Sequence, residues 1–326
     1  MKLLGSHKLK VYISAPSRIH LGIIDMKGDL GRIYGSIGVA IEKPRTEIEI
    51  SYSDKWEIYG RVSKIAERYL KKIADYFEIQ QKLKLSIKTS PPRHCGLGSG
   101  TQLALSIGVG VSKLLGIDTS VEEIAKVLGR GKVSGIGTYA FKVGGFIVDG
   151  GRIPKKESIP PLIFRTDFPK KWFFVIGIPK EKRGLHGEKE EAALRKVTES
   201  LKNREIGETS RILVMKMLPS LLEEDFEEFS ASLSLFEEEV GKMFYYVQKG
   251  IFGHKITEEG INFLTKKGII GTGQSSWGPS FYGVVKGEKK AKEVCIELNN
   301  FLNKVGGGEA FYTRADNFGA LVRPIE

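Results

Sequence analysis

The chain has 326 residues, 41% of them hydrophobic and 28% charged, a balance that excludes disordered and fibrous classes and predicts two globular domains sharing a cleft. Its 51 lysines and arginines outnumber its 39 aspartates and glutamates, giving a net charge of +12, which suits nucleic acid, an anionic membrane or a polyanionic small substrate without choosing among them. Only Cys95 and Cys295 are present, too few and too far apart for a disulfide framework or a thiolate zinc site. No apolar run reaches the length of a membrane helix or the core of a signal peptide, so a cytoplasmic protein is expected. Lysine pairs such as Lys71-Lys72 and Lys155-Lys156 are scattered along the chain and read as solvated faces.

The first informative stretch, APSRIHLGIIDMKGDLGRIYGSIG, mixes Arg18, His20, Asp25, Arg32 and Tyr34 into apolar residues and glycines. A strand over Ser17 to Ile24 places Arg18, His20 and Gly22 on one face and Ile19, Leu21 and Ile23 on the other. A lone strand histidine is more often structural than catalytic, but an arginine beside it on a glycine-lined face favours a ligand surface. Two alternating segments, 46–52 and 82–88, read as half-buried strands. Between them Val62, Ile65, Ala66, Tyr69, Leu70, Ile73 and Phe77 form the apolar stripe of a helix.

At 91–102 the chain reads PPRHCGLGSGTQ and runs into LALSIGVGVSKLLG. That helix is apolar all round and so must be buried, and its small residues allow close neighbours. Gly96, Leu97, Gly98, Ser99, Gly100, Thr101 and Gln102 have the parts of an anion site, because glycines admit close backbone approach and a helix mouth offers unpaired N–H groups. A plain capped turn explains the loop alone equally well. The spacing is neither a Walker A loop nor a dinucleotide fingerprint.

Further on, GRGKVSGIGTYAF supplies Arg130, and FKVGGFIVDGG reads as a strand ending in a turn. The stretch RIPKKESIPPLIF holds three prolines and is the expected linker, near 152–162, between two α+β halves. After the buried strand WFFVIGIP comes KRGLHGEKEEAAL, which brings Arg183, His186, Glu188 and Glu191 to a helix entry, where carboxylates are commonly dipole partners. An amphipathic helix is predicted from Leu221 to Phe244, followed by GIIGTGQSSWGPSFYGVV. A hairpin accounts for its glycines, whereas Gln274, Ser275, Ser276 and Trp277 packed beside them point to a ligand or partner. A helix over KAKEVCIELNNFLNKVG and strand-like EAFYTRADNFGALV close the chain.

Taken together, SAPSRIHLG, PPRHCGLGSGTQ and GIIGTGQSSWGP resemble the three glycine-rich motifs of the GHMP superfamily, in their usual order, over nearly the whole chain. The resemblance implies an α+β fold of two domains: a GHMP-type N-terminal domain (1–155), containing a βαβ crossover and the glycine-rich phosphate loop, and a ferredoxin-like C-terminal domain (156–326). Most members are small-molecule kinases, and many carry an aspartate base in a Ser-Gly-x-Asp context; here the stretch reads Ser134-Gly135-Ile136-Gly137. Glycine therefore stands where the base would sit.

RIHLGIIDMKGDLGR, GRGKVSGIGTYAFKVGGFIVDGG and GTGQSSWGPSFYG are similar to a non-kinase branch, the archaeal β-ribofuranosylaminobenzene 5′-phosphate synthases. This narrower resemblance implies a magnesium-assisted phosphoribosyltransferase that joins 5-phosphoribosyl 1-diphosphate to 4-aminobenzoate or 4-hydroxybenzoate. It releases CO2 and diphosphate on the route to methanopterin-type cofactors. On that reading residues 96–102 hold phosphate, and His20 and Asp25 are catalytic candidates. Arg18, Arg32, Tyr34, Arg130 and residues 274–277 bind substrate, with Arg18 or Arg32 on the benzoate carboxylate and Trp277 or Tyr34 on its ring. The metal ligands are left open, as is a homodimer. Two alternatives stand beside it: an ATP-dependent small-molecule kinase, and an RNA-binding module, which lacks the interleaved basic and aromatic signature of RNA-recognition domains.

Overall fold

The structure, a computed structural model, describes residues 9–154, 156–181, 184, 187–202 and 206–325. Its first half is organised by two long strands, β1 (Lys10–Asp25) and β2 (Tyr34–Tyr52), paired antiparallel along most of their length. The register slips between Pro16 and Ser17 and again between His20 and Gly22. Each bulge reverses which face the following side chains take. Val11, Ile13 and Ala15 accordingly pack under helices on one face, while Ile19 and Leu21 join the core on the other. Arg18 and His20 alternate with those two, which leaves them facing the helical side.

β2 serves two neighbours on its other edge. Its first half pairs with β5 (Phe146–Asp149) and its second half with β4 (Leu83–Thr89). β3 (Glu57–Tyr59), α1 (Ser63–Tyr76) and β4 make the parallel crossover. The glycine loop follows this crossover rather than lying inside it, and leads into α2 (Ser99–Leu115). Leu103, Leu105, Ile107 and Val111 of α2 are all at most 1% exposed, each stabilising the fold by roughly 2 kcal/mol. Its glycines have a packing reason: a Cβ on Gly110 would stand 2.6 Å from Ile13. Two short helices, α3 (Val121–Val127) and α4 (Ile136–Lys142), complete this layer.

The expected domain boundary at 155/156 does not divide the fold. β6 (Leu162–Thr166) still pairs with β5, and β11 (Leu321–Ile325) returns to pair with β1, so the first sheet takes two strands from beyond it. The second sheet contains β7 (Trp172–Pro179), β8 (Thr272–Gln274), β9 (Phe281–Lys286) and β10 (Gly308–Arg314) in the order β10-β7-β9-β8. With the intervening helices this is the βαββαβ arrangement of ferredoxin-like domains. One hydrophobic cluster runs through both sheets, joining Ile19, Val39 and Phe146 to Phe174, Ile176 and Tyr282.

The helical insert of the second half consists of α5 (Glu188–Ser200), α6 (Glu208–Ile212), a π-helical turn, α7 (Leu218–Leu222), α8 (Phe226–Gln248) and α9 (Lys255–Lys266), with α10 (Glu288–Lys304) before β10. The helix expected from Leu221 to Phe244 is broken at 223–225, where Asp225 caps α8 by accepting from the Glu228 N–H at 3.1 Å. Among the described residues no helix is long and apolar enough to cross a membrane.

Candidate active site

Two glycine-rich loops, 180 residues apart in sequence, meet backbone to backbone. A Cβ on Gly96 would lie 2.5 Å from the Ser275 carbonyl, and one on Gly278 would overlap the Cys95 carbonyl. The Ser275 hydroxyl donates to the Gly96 carbonyl at 2.8 Å and accepts from the His20 N–H at 3.0 Å, so a single serine ties β1, the first loop and the second loop together. Several glycines of the first loop thus have a packing reason in this contact, and the same loop opens a helix mouth.

That mouth is α2's. Gly98 takes the N-cap position at φ +74°, and no side chain caps the helix. The Thr101 N–H donates to the Gly98 carbonyl at 3.0 Å, which leaves the N–H groups of Ser99 and Gly100 for another acceptor, at the positive end of the helix dipole. Gly98, Ser99, Gly100 and Thr101 line a cavity of about 210 Å³ there, together with Arg18, Arg130 and Trp277. The Ser99 hydroxyl is turned away to the Pro92 carbonyl at 3.1 Å.

A larger cavity, of about 310 Å³, adjoins it through Arg18, Thr101, Arg130, Ser276 and Trp277. Ile23, Val240, Phe244, Ile251 and Phe252 give it an apolar wall; Trp277 stands edge-on to Phe244 with ring centres 5.0 Å apart. Besides Arg18 and Arg130, its polar lining includes His20, Glu237, Gln248 and Gln274.

Their protonation follows from burial. The Arg18 guanidinium, pushed down to about 10 by burial, remains charged; it donates through Nη1 to the Gly96 carbonyl, while its Nε has no protein partner. Beside it, burial and then the Arg18 charge hold His20 at about 3. His20 is thus a neutral imidazole at working pH, with Nδ1 buried and unpartnered. Burial raises Glu237 to about 8, against the opposing hydrogen bonds of the Tyr282 hydroxyl (2.6 Å) and the Gln274 N–H (3.2 Å), so a protonated carboxyl faces the cavity at neutral pH. Sequence reading missed Glu237 because it sits inside an acidic helix stripe, where a glutamate normally faces water.

Asp149 was also passed over. It is buried at the end of β5 and raised to about 6 by that burial. Its carboxylate accepts from the Gly135 N–H at 2.8 Å and the Gly151 N–H at 3.0 Å, which fixes the segment leading to Gly137. Gly137 lines the larger cavity, and its carbonyl accepts from Gln102 Nε2 at 2.8 Å.

Of the residues singled out in the sequence, Arg18, His20, Thr101, Arg130, Gln274, Ser276 and Trp277 are brought together around the larger cavity. Leu97 and Gln102 lie beneath it as buried supports, and Ser275 is the tie described above. Three candidates fall elsewhere. The Asp25 carboxylate closes the turn after β1 by accepting from the Lys27 N–H (2.6 Å) and Gly28 N–H (2.9 Å). Arg32 is exposed and donates to the Gly150 and Gly151 carbonyls at 2.7 and 2.9 Å, pinning the β1–β2 connection to β5. Tyr34 lines a separate cavity, under the Arg152 guanidinium at 5.5 Å. Main-chain bonding has taken two of these polar groups, locally for Asp25 and across 118 residues for Arg32, which sequence spacing alone does not reveal. Arg183 and His186 lie outside the described residues; Glu188 and Glu191 open α5, and Glu191 reaches the larger cavity.

Comparisons with known proteins show the family and the fold. Residues 61–145 match the GHMP kinases N terminal domain family. The chain is 30% identical to a β-ribofuranosylphenol 5′-phosphate synthase of Methanothermobacter thermautotrophicus, covering 96% of this chain and 99% of that protein. It is 34% identical to the protein of the same name from Methanocaldococcus jannaschii, covering 94% and 98%. The crystal structure of the Methanococcus jannaschii mevalonate kinase shares the fold, with a TM-score of 0.65 at 19% identity over 96% of this chain and 100% of that one.

Proposed function

The chain belongs to the β-ribofuranosylphenol 5′-phosphate synthase family, and from that premise we propose that it transfers a phosphoribosyl group from 5-phosphoribosyl 1-diphosphate to a 4-substituted benzoate. The phenol in its relatives' name favours 4-hydroxybenzoate as the acceptor. The observation that carries the reading is the pairing of an uncapped helix mouth with Gly137: the site has an anion cradle and, at the position of a kinase base, no carboxylate.

In this chemistry the anomeric carbon–oxygen bond breaks and its electron pair leaves with diphosphate. A bond forms between the anomeric carbon and the ring carbon that bears the carboxylate. The carbon–carboxylate pair then returns to the ring as CO2 departs, restoring aromaticity. No ring proton has to be removed, so a kinase-type base at position 137 is unnecessary. The first-turn N–H groups of α2 and the charge of Arg130 are aimed where negative charge develops on the leaving group. Arg18 reads the benzoate carboxylate, and the apolar wall with Trp277 encloses the ring. Neutral His20 accepts or donates a hydrogen bond without serving as a cationic acid, and protonated Glu237 faces the acceptor's hydroxyl end.

Magnesium, when bound, supplies neutralisation of diphosphate charge. Glu190 lines both cavities and Glu191 the larger one. These two fit an ion that takes one or two carboxylates plus phosphate oxygens; the described residues contain no cluster of three ligating groups.

Mass spectrometry of the protein with 5-phosphoribosyl 1-diphosphate, magnesium and each benzoate tests the reading. A ribosylated, decarboxylated product, formed faster from 4-hydroxybenzoate, is expected. Phosphate transfer from ATP to a hydroxyl acceptor, with no such product, would assign the protein to kinase chemistry instead.

A further inference from the structure

Beside the larger cavity lies a third, of about 480 Å³, that neither the glycine motifs nor the relatives' names account for. It is walled by the ends of α1 and α3, the 129–133 turn, the strand exit at Arg152 and the first turns of α5. Lys72, Lys126, Lys132, Arg152, Lys156 and Arg195 line it along with Arg130, against only Glu157 and Glu191. Among the described residues none of these six cations is paired with a carboxylate, and Arg152 Nε is buried without a hydrogen-bond partner. Such a concentration of uncompensated charge is costly unless an anion answers it.

The three cavities form a row. Arg130 lines all of them: the helix-mouth cavity, the central one and the basic one. Its guanidinium is held by the Tyr69 ring 5.1 Å away and donates to the Tyr69 hydroxyl. A donor with a diphosphate at one end and a phosphate monoester at the other matches a groove with an anion site at each end and an apolar, hydrogen-bonding middle.

We propose that the basic cavity binds a phosphate monoester, the 5-phosphate of the phosphoribosyl donor, while the helix mouth takes the diphosphate; the assignment rests on the phosphoribosyl-transfer reading. The two ends differ in what they must do. Diphosphate gains charge in the transition state and is served by fixed backbone donors. The 5-phosphate is chemically inert, remains on the product and must be released with it, a task suited to flexible, solvent-facing lysines that act as a remote handle.

The test uses Lys72→Ala/Arg195→Ala in the full chain, because both side chains are exposed and line only this cavity. Calorimetry with ribose 5-phosphate and, separately, with magnesium diphosphate compares it with the unaltered protein. Ribose 5-phosphate binding should weaken by about tenfold while magnesium diphosphate binding stays within about twofold. The KM for 5-phosphoribosyl 1-diphosphate should rise with kcat held. Unchanged ribose 5-phosphate binding overturns the proposal, as does a loss confined to diphosphate, which would reverse the two ends. Lys126→Glu, a charge reversal on the same wall, should deepen the selective loss, and equal weakening of both ligands there would also overturn it. If the unaltered protein binds ribose 5-phosphate yet makes no ribosylated product, the functional reading fails independently.

Discussion

The two cavities proposed to hold anions are built by opposite means. At the helix mouth the lining is largely backbone: the glycines of two distant loops interlock, Gly98 holds a left-handed conformation, and two of the arginines present, Arg18 and Arg130, are half-buried and fixed by hydrogen bonds. In the basic cavity the charge sits on long side chains that reach in from α1, α3, the 129–133 turn, the stretch after β5, and α5, most of them exposed. On the proposed assignment, the contrast teaches that geometry is fixed where bonds break, and that charge alone suffices where the substrate is only held.

Breaking the fixed end should have the largest effect. Gly98→Val places a branched side chain at φ +74° with its Cβ about 3.0 Å from Arg18, so kcat/KM should fall by about 100-fold or more while circular dichroism shows a folded chain. Full activity would remove the helix mouth from the site.

Glu237 sharpens the comparison from the middle of the groove. Its carboxyl is near 4.5 in the unfolded chain and about 8 in the folded one, so the folded state binds the proton more tightly. The stability this supplies is complete below about pH 4.5 and is lost as pH rises through about 8. Glu237→Gln should flatten that slope and leave the variant several degrees more stable than the parent above pH 8, read by melting temperature across pH 5 to 9. A slope unaltered by the substitution would refute the buried, protonated carboxyl.

Arg32 provides the contrast with a candidate that stands outside both cavities. Arg32→Ala should cost about 1 kcal/mol of stability through its two lost carbonyl contacts, with KM for benzoate unchanged; a raised benzoate KM would return it to the site. The smallest effect is ionic. Salt should weaken ribose 5-phosphate binding a few-fold more than magnesium diphosphate binding, because exposed lysines are screened more strongly than the half-buried mouth; equal sensitivity would erase the distinction between the two ends.

How much of this was written in the sequence depends on how local the signal is. The alternation of 46–52 and 82–88, the stripe of α1 and the all-apolar α2 were legible because period and burial are properties of short windows. The glycine-rich loop at 96–102 and the second glycine loop were legible as a candidate ligand surface, but their mutual contact was not, since nothing near Gly96 announces Ser275. The proline-rich stretch misled on domain organisation: it marks a turn between two paired strands, and β11 returns to the first sheet from the far end of the chain. Asp25 looked catalytic and Arg32 substrate-binding by type, and in the fold both are held by main-chain bonds, whereas Glu237 looked solvated and is buried. The basic cavity was hidden because its lysines come from four separate elements and resemble any other surface charge.

The most direct test is a crystal structure of the protein with β-ribofuranosylphenol 5′-phosphate, magnesium and diphosphate. Diphosphate should lie against the amides at the start of α2, the ring against Trp277 and Phe244, and the 5-phosphate among Lys72, Lys132 and Arg152. Diphosphate found among those lysines, or a ring excluded from the central cavity, would contradict the account.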